Sequence, residues 1–242
     1  MVVYGRNSIE EALLESLQLS QVWIDMEKGD KYPGLKRMLR EKNIPVKFVV
    51  ERELDKISGT QKHQGIAAEM ILPDNIITED KEYNADYSVI NKVLLLDGIT
   101  DTGNLGAILR SALLLGADLV LLPKDNAARI TPQTIKASAG AIYKTPLAYV
   151  DNLKTEIDSM KAEGFEILAL TGESKDSVYT FQPQGQKIAI IIGSEREGIR
   201  KGIKSLCTHK VALPSTKKLD SFNVSVAAAL AMNSLWQDSL KI

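Results

Sequence analysis

Two uninterrupted apolar runs, Val93-Leu94-Leu95-Leu96 and Ile188-Ala189-Ile190-Ile191-Ile192, constrain this chain more than any other feature. A strand with one wet face alternates apolar and polar residues. A run with no polar member suits a strand covered on both faces, as in a parallel sheet. Between the runs, the pattern predicts a helix from Leu105 to Leu115 and a strand from Leu119 to Leu122. Helices follow from Thr131 to Ala139 and from Asn152 to Glu163, then a strand from Glu166 to Leu170. This alternation predicts an α/β domain on a parallel sheet. A last helix, Val224 to Leu240, is rich in Ala and Leu and has to bury much of its surface.

Residues 1–72 read as a smaller α/β unit. Ile9, Leu13, Leu14 and Leu17 have helical spacing within Arg6 to Leu17, with Asn7 or Ser8 as N-cap. Strands are expected from Gln21 to Met26, Val46 to Val50 and Gly65 to Leu72, and helical segments from Leu35 to Lys42 and Glu51 to Ile57. The stretch Pro73 to Lys92 is acidic, opens with Pro-Asp-Asn and has weak periodicity, so it reads as a linker. The expected domains are therefore 1–72, a linker at 73–92, and 93–242.

Composition mainly excludes. One cysteine, Cys207, rules out a disulfide framework and a cysteine zinc cluster. No apolar run reaches the roughly 20 residues of a membrane span, and the first residues lack a signal-peptide layout. A cytoplasmic protein is the expectation. The net charge of −1 announces no nucleic-acid partner. The three segments carry net charges of 0, −3 and +2, so any RNA surface has to be a local patch.

Three turns that run from strand ends toward helices, two of them glycine-bearing, are the candidates for chemistry. Asp97-Gly98-Ile99-Thr100-Asp101-Thr102-Gly103-Asn104-Leu105-Gly106 runs from a strand end into a helix, where open α/β sheets bind ligands. Its spacing is neither a dinucleotide fingerprint nor a phosphate loop. Arg110, one to two turns into that helix, reads by spacing alone as an exposed arginine. The second turn, Gly193-Ser194-Glu195-Arg196-Glu197-Gly198, also lacks a phosphate-loop lysine; its two glutamates suit a helix N-terminus equally well. The third runs from Leu213-Pro214 through a two-lysine loop to Asp220-Ser221-Phe222-Asn223 and the final helix. Ser221 and Asn223 are good N-cap types.

In order, spacing and placement, these turns resemble the three motifs of the SpoU family of the SPOUT methyltransferase superfamily. Tyr4-Gly5-Arg6-Asn7-Ser8-Ile9 and His63-Gln64-Gly65-Ile66-Ala67-Ala68 resemble the edges of the family's N-terminal substrate-binding domain. The resemblance implies a small L30e-like α/β domain joined to a parallel-sheet SPOUT domain whose chain end forms a deep trefoil knot. It implies an S-adenosylmethionine-dependent RNA ribose 2′-O-methyltransferase, working as a homodimer without a metal or a membrane. Family members acting on the tRNA D-loop usually lack the extra domain, so a guanosine of large-subunit ribosomal RNA is the expected target. A tRNA enzyme and a catalytically silent RNA-binding assembly factor are the alternatives.

By motif position, Thr171, Gly172, Gly193, Leu213 and Phe222 would contact the cofactor. Asn104, Arg110, Glu195, Ser221 and Asn223 would form the catalytic set. Asn104 and Asn223 would orient groups through their amides, Glu195 would hold Arg110 or the RNA, and Ser221 would meet the acceptor or its phosphate. Arg110 either accepts the hydroxyl proton or stays charged and stabilises the developing alkoxide. Its high intrinsic pKa favours the second. Two positions depart from the family pattern: Thr102 replaces a common proline and Phe222 a common leucine. The expected RNA contacts are Arg6, Lys62, Arg129, Lys144, Arg196, Lys201, Lys217 and Lys218. His63 is read as structural, and Cys207 as a small core residue.

Overall fold

The computed structural model describes residues 1–15, 17–78, 81–216, 218 and 221–236. The N-terminal part holds a four-stranded sheet of β1 (Val2–Tyr4), β2 (Leu19–Asp25), β3 (Val46–Val49) and β4 (Ile66–Met70), in the order β1-β4-β2-β3. Only β2 and β3 are parallel, joined over α2 (Pro33–Glu41). Leu35 and Leu39 of α2 share a core with Ile9 and Leu13 of α1 (Arg6–Leu14) on one face. Leu54 of α3 (Glu51–Ser58) packs with Val49 and Ala67 on the other. His63 is buried: its Nδ1 accepts from Gly65 N at 2.9 Å, which leaves Nε2 to donate to Asp55 Oδ1 at 2.9 Å. Its role is to hold the turn before β4, in keeping with the structural reading.

The second sheet is wholly parallel and has seven strands. They are β5 (Ile76–Ile77), β6 (Lys92–Asp97), β7 (Leu119–Pro123), β8 (Leu147–Val150), β9 (Glu166–Leu170), β10 (Ile188–Gly193) and β11 (His209–Val211). Their order is β11-β9-β10-β6-β7-β8-β5. The apolar runs sort cleanly onto its two faces. Leu94, Leu96, Ile190 and Ile192 enter one core with α4 (Thr102–Leu114), α5 (Pro132–Ser138) and α8 (Val224–Leu235). Val93, Leu95, Ala189 and Ile191 enter the other with α6 (Leu153–Ala162) and the short α7 (Lys201–Lys204). Each Val, Leu or Ile among them, fully buried, stabilises the fold by about 1.5–3 kcal/mol.

Several expectations shift. The acidic stretch 73–92 contributes strand β5 to the sheet edge, and Tyr87 buries its ring edge-on to Phe165 while donating to Glu156 Oε2 at 2.6 Å. Periodicity missed it because the two tyrosines that pack there, Tyr83 and Tyr87, stand among charges. Strand β8 was also unforeseen, since four residues after Pro146 carry too short a pattern. Helix α1 stops at Leu14, and the final helix is described to Leu235; the expected end at Leu240 lies outside the described residues. Among the described residues, no helix is long and apolar enough to cross a membrane.

Candidate active site

Chain direction reverses between β6 and β10: from β6 the chain winds outward to β7 and β8, while β10 takes its other side. Ligands of open parallel sheets sit beyond the strand ends at such a switch point. The register pairs Gly193 with Asp97, so the first two turns leave the sheet side by side. Asp101 caps α4 by accepting from Asn104 N at 2.6 Å. Gly106 lets α4 meet α5 closely, because a Cβ there would lie 2.6 Å from Thr134 O.

The second turn folds back on itself. Gly198 N donates to Ser194 O at 2.9 Å, and a Cβ on Gly193 would stand 2.1 Å from the Gly198 carbonyl carbon. Only glycine fits that crossing. Asp97 ties the far end of this turn to the sheet. Its carboxylate, 0% exposed, accepts from Arg200 N at 2.8 Å and from Arg200 Nε at 2.7 Å. Sequence reasoning missed this pair; the available signal was that an aspartate ending a buried apolar run requires a partner, though not which one.

The third turn closes the cluster. Asn223 Nδ2 donates to Asn104 Oδ1 at 3.0 Å and to Glu195 Oε1 at 3.1 Å, while its Oδ1 caps α8 by accepting from Ser225 N at 3.0 Å. Val224 N donates to the same Glu195 oxygen at 3.0 Å. One residue from each turn thus meets at a single point. Beside it opens a cleft of about 440 Å³, walled by Thr100, Asp101, Asn104, Asn126, Glu195 and Glu197 among others. Asn126, in a left-handed conformation at φ 56°, was not singled out in the sequence.

Not every expected residue joins this cluster. The bonded oxygen of Glu195, Oε1, serves Asn223 and Val224. Arg110 follows Asn104 by six residues, about 9 Å along the helix and on a different face. It is exposed, and its charge acts instead on Glu11 of α1, opposing the burial that raises that carboxyl's pKa. Ser221 and Phe222 are exposed ahead of α8, and Leu213 is half-buried against the core. Thr171 N donates to Val211 O at 2.9 Å, leading into Gly172, beside which there is open space.

Of the expected RNA contacts, Arg196 lines the cleft. Arg6 pairs with Glu10 at 2.7 Å, Lys144 with Glu15 at 2.8 Å, and the Arg129 guanidinium lies 5.8 Å from the Tyr149 ring centre. Lys62, Lys201 and Lys218 are exposed, and Lys217 lies outside the described residues.

Comparison with known proteins shows the family. Residues 91–233 match the SpoU rRNA Methylase family, and residues 2–74 match "RNA 2'-O ribose methyltransferase substrate binding". A putative TrmH family tRNA/rRNA methyltransferase of Staphylococcus haemolyticus is 31% identical, over 98% of this chain and 95% of that protein. A crystal structure of an RNA 2′-O ribose methyltransferase is 26% identical with a TM-score of 0.76, over 97% of this chain and 86% of that one. The fold is also that of the SpoU methyltransferase AviRb from Streptomyces viridochromogenes, solved with AdoMet, at 20% identity and a TM-score of 0.77, covering 98% of this chain and 90% of that one. With both parts matched in order and the three turns converging on one cluster, the chain belongs to the SpoU rRNA methylase family.

Proposed function

We propose that this RNA 2′-O-methyltransferase modifies a guanosine of large-subunit ribosomal RNA, with the cleft beside Asn104, Glu195 and Asn223 receiving the acceptor ribose. The observation that carries the reading is the bridge from Asn223 to both Asn104 and Glu195, which makes one site of three distant turns. The N-terminal domain supports a ribosomal over a transfer RNA target, because family members acting on the tRNA D-loop usually lack it. Residues 1–72 then grip RNA, 73–92 connect, and 93–242 carry the reaction. A substrate of this kind implies a cytoplasmic site of action.

The residues expected at the cofactor suit S-adenosylmethionine. The turns at Thr171–Gly172, Gly193 and Leu213 end the adjacent strands β9, β10 and β11. Gly172 faces open space, which leaves room for a flat adenine beside backbone, and Leu213 and Phe222 would supply its apolar walls. When bound, the cofactor supplies a methyl group already activated on a sulfonium. Chain passage through a trefoil knot belongs to the same reading.

Asn223 orients the Asn104 amide and the Glu195 carboxylate through its own amide, Asn104 in turn orients the ribose, and Ser221 Oγ bonds the acceptor or its phosphate. The Arg110 guanidinium, charged throughout, stabilises the alkoxide that develops as the 2′-hydroxyl gives its proton to solvent water. Arg110 stands away from its own chain's cluster, so the reading includes a homodimer in which two copies share each site. Exposed Leu114 and Val226, at 71% and 47%, leave apolar surface on α4 and α8 for that contact.

The test is methyl transfer from radiolabelled S-adenosylmethionine to large-subunit RNA and to tRNA, with primer extension at low deoxynucleotide concentration to map the site. A stop at one guanosine of the large-subunit RNA is expected. Methylation of tRNA alone would overturn the substrate, and failure to bind the cofactor at micromolar concentration would leave an RNA-binding factor.

A further inference from the structure

The outer edge of the N-terminal sheet carries an apolar patch that the catalytic site does not use. Register pairs Ile24 with Phe48 and Asp25 with Val49, so Met26 and Val50 follow alongside at the strand ends. Alternation then puts Phe48 and Val50 on one face. All three are exposed: Met26 61%, Phe48 51%, Val50 57%. The Phe48 ring lies against the turn at Gly29, where a Cβ would come within 3.3 Å of it, and Lys36 Nζ lies 5.6 Å from its centre. Lys31 is exposed nearby in the chain, whereas the same alternation turns Lys47 to the opposite face. Residues 25–53 hold eight Lys or Arg against six Asp or Glu, whereas residues 1–72 are neutral overall.

From these observations we infer that Phe48 is a stacking platform for an unpaired base of the RNA substrate, with Lys36 and Lys31 meeting the flanking phosphates. An aromatic ring among cations is the arrangement that binds single-stranded nucleic acid, since every base has a stacking face and every linkage a charge. A duplex, whose bases are stacked inside, offers the ring nothing. The platform is also well placed. Strand β1, at one edge of the sheet, contacts α5 of the catalytic part, while β3 is the opposite edge, about 14 Å away across three strand spacings. RNA held at Phe48 is therefore gripped at a distance from its reacting ribose. The inference rests on the RNA-methylation reading and adds the surface and the kind of RNA that it grips.

The test uses the full chain and a fluorescently labelled twelve-nucleotide oligoadenylate RNA, with binding read by anisotropy. Phe48→Ala should weaken binding about tenfold, and Phe48→Tyr, which keeps the ring, by no more than about twofold. Binding of a fully paired RNA duplex should be the same for all three proteins. With structured substrate RNA, Phe48→Ala should raise KM and leave kcat alone. Unchanged oligonucleotide binding by Phe48→Ala overturns the platform, as does equal loss in Phe48→Tyr. A change in oligomeric state with RNA binding intact also overturns it, and makes the patch a protein interface. Methyl transfer by the unsubstituted protein is measured in the same preparation, so loss of the platform and loss of the enzymatic reading are separate results.

Discussion

Asn223 Nδ2 lies 3.0 Å from Asn104 Oδ1, a hydrogen bond between residues 119 positions apart. The same nitrogen donates to Glu195, and the oxygen of the same amide caps α8. Both ends of one side chain are therefore committed, the first to the site and the second to the fold.

That division can be separated experimentally. Asn223→Ala removes both functions and should cost about 1 kcal/mol through the lost cap, with methyl transfer falling at least tenfold. Asn223→Asp keeps a capping oxygen but loses the donor and faces Glu195 with a like charge. It should retain the thermal midpoint yet lose activity. Full activity in Asn223→Asp would remove the bridge from the mechanism.

Arg110→Ala should lower kcat by roughly 100-fold or more, the scale for deleting a group that stabilises a developing oxyanion. Cofactor affinity by calorimetry should stay the same, because Arg110 is not among the proposed cofactor contacts. Near-normal turnover in both Arg110→Ala and Arg110→Lys would end the assignment.

The Asp97–Arg200 pair predicts a loop defect. Asp97→Ala leaves Arg200 N and Nε without their acceptor and should cost about 2 kcal/mol in denaturant unfolding. It should also weaken cofactor binding, since the turn it anchors begins at Gly193. A destabilised variant with unaltered cofactor affinity would confine the pair to folding.

Two glycines at the expected cofactor site should respond oppositely. Gly193→Ala drives a Cβ into the Gly198 backbone, a contact no rotamer can relieve, and should destabilise by at least about 2 kcal/mol. Gly172→Ala meets nothing within 4 Å and should unfold like the unsubstituted chain, so any loss of cofactor affinity there reports directly on the pocket. Thermal melts with and without S-adenosylmethionine distinguish the two.

Burial pushes the Cys207 thiol up to about 11. The thiolate is the reactive form, and the fold disfavours it. At pH 8 the folded protein should therefore react slowly with a thiol-exchange reagent, and the denatured protein rapidly. Equal rates would contradict the burial.

Local pattern determined the element types. The runs at Val93 and Ile188 announced strands covered on both faces, and their residues divide between two cores as strict alternation requires. The three turns were legible too, because glycines and capping residues act within a few positions of themselves. What short-range pattern does not encode is choice of partner. Strand β5 among acidic residues, the burial of Tyr87, and the pairing of Asp97 with Arg200 all depend on segments distant in the chain. So does Arg110: its place in a motif is visible in the sequence, but the helical turn that points it away from Asn104 and toward α1 has meaning only once the elements are packed. The sequence by itself determined a parallel α/β domain with three polar turns at its strand ends. The tertiary structure decided that Asn223 joins them, because a hydrogen bond needs its two atoms within about 3 Å, and only strand order and register bring them there.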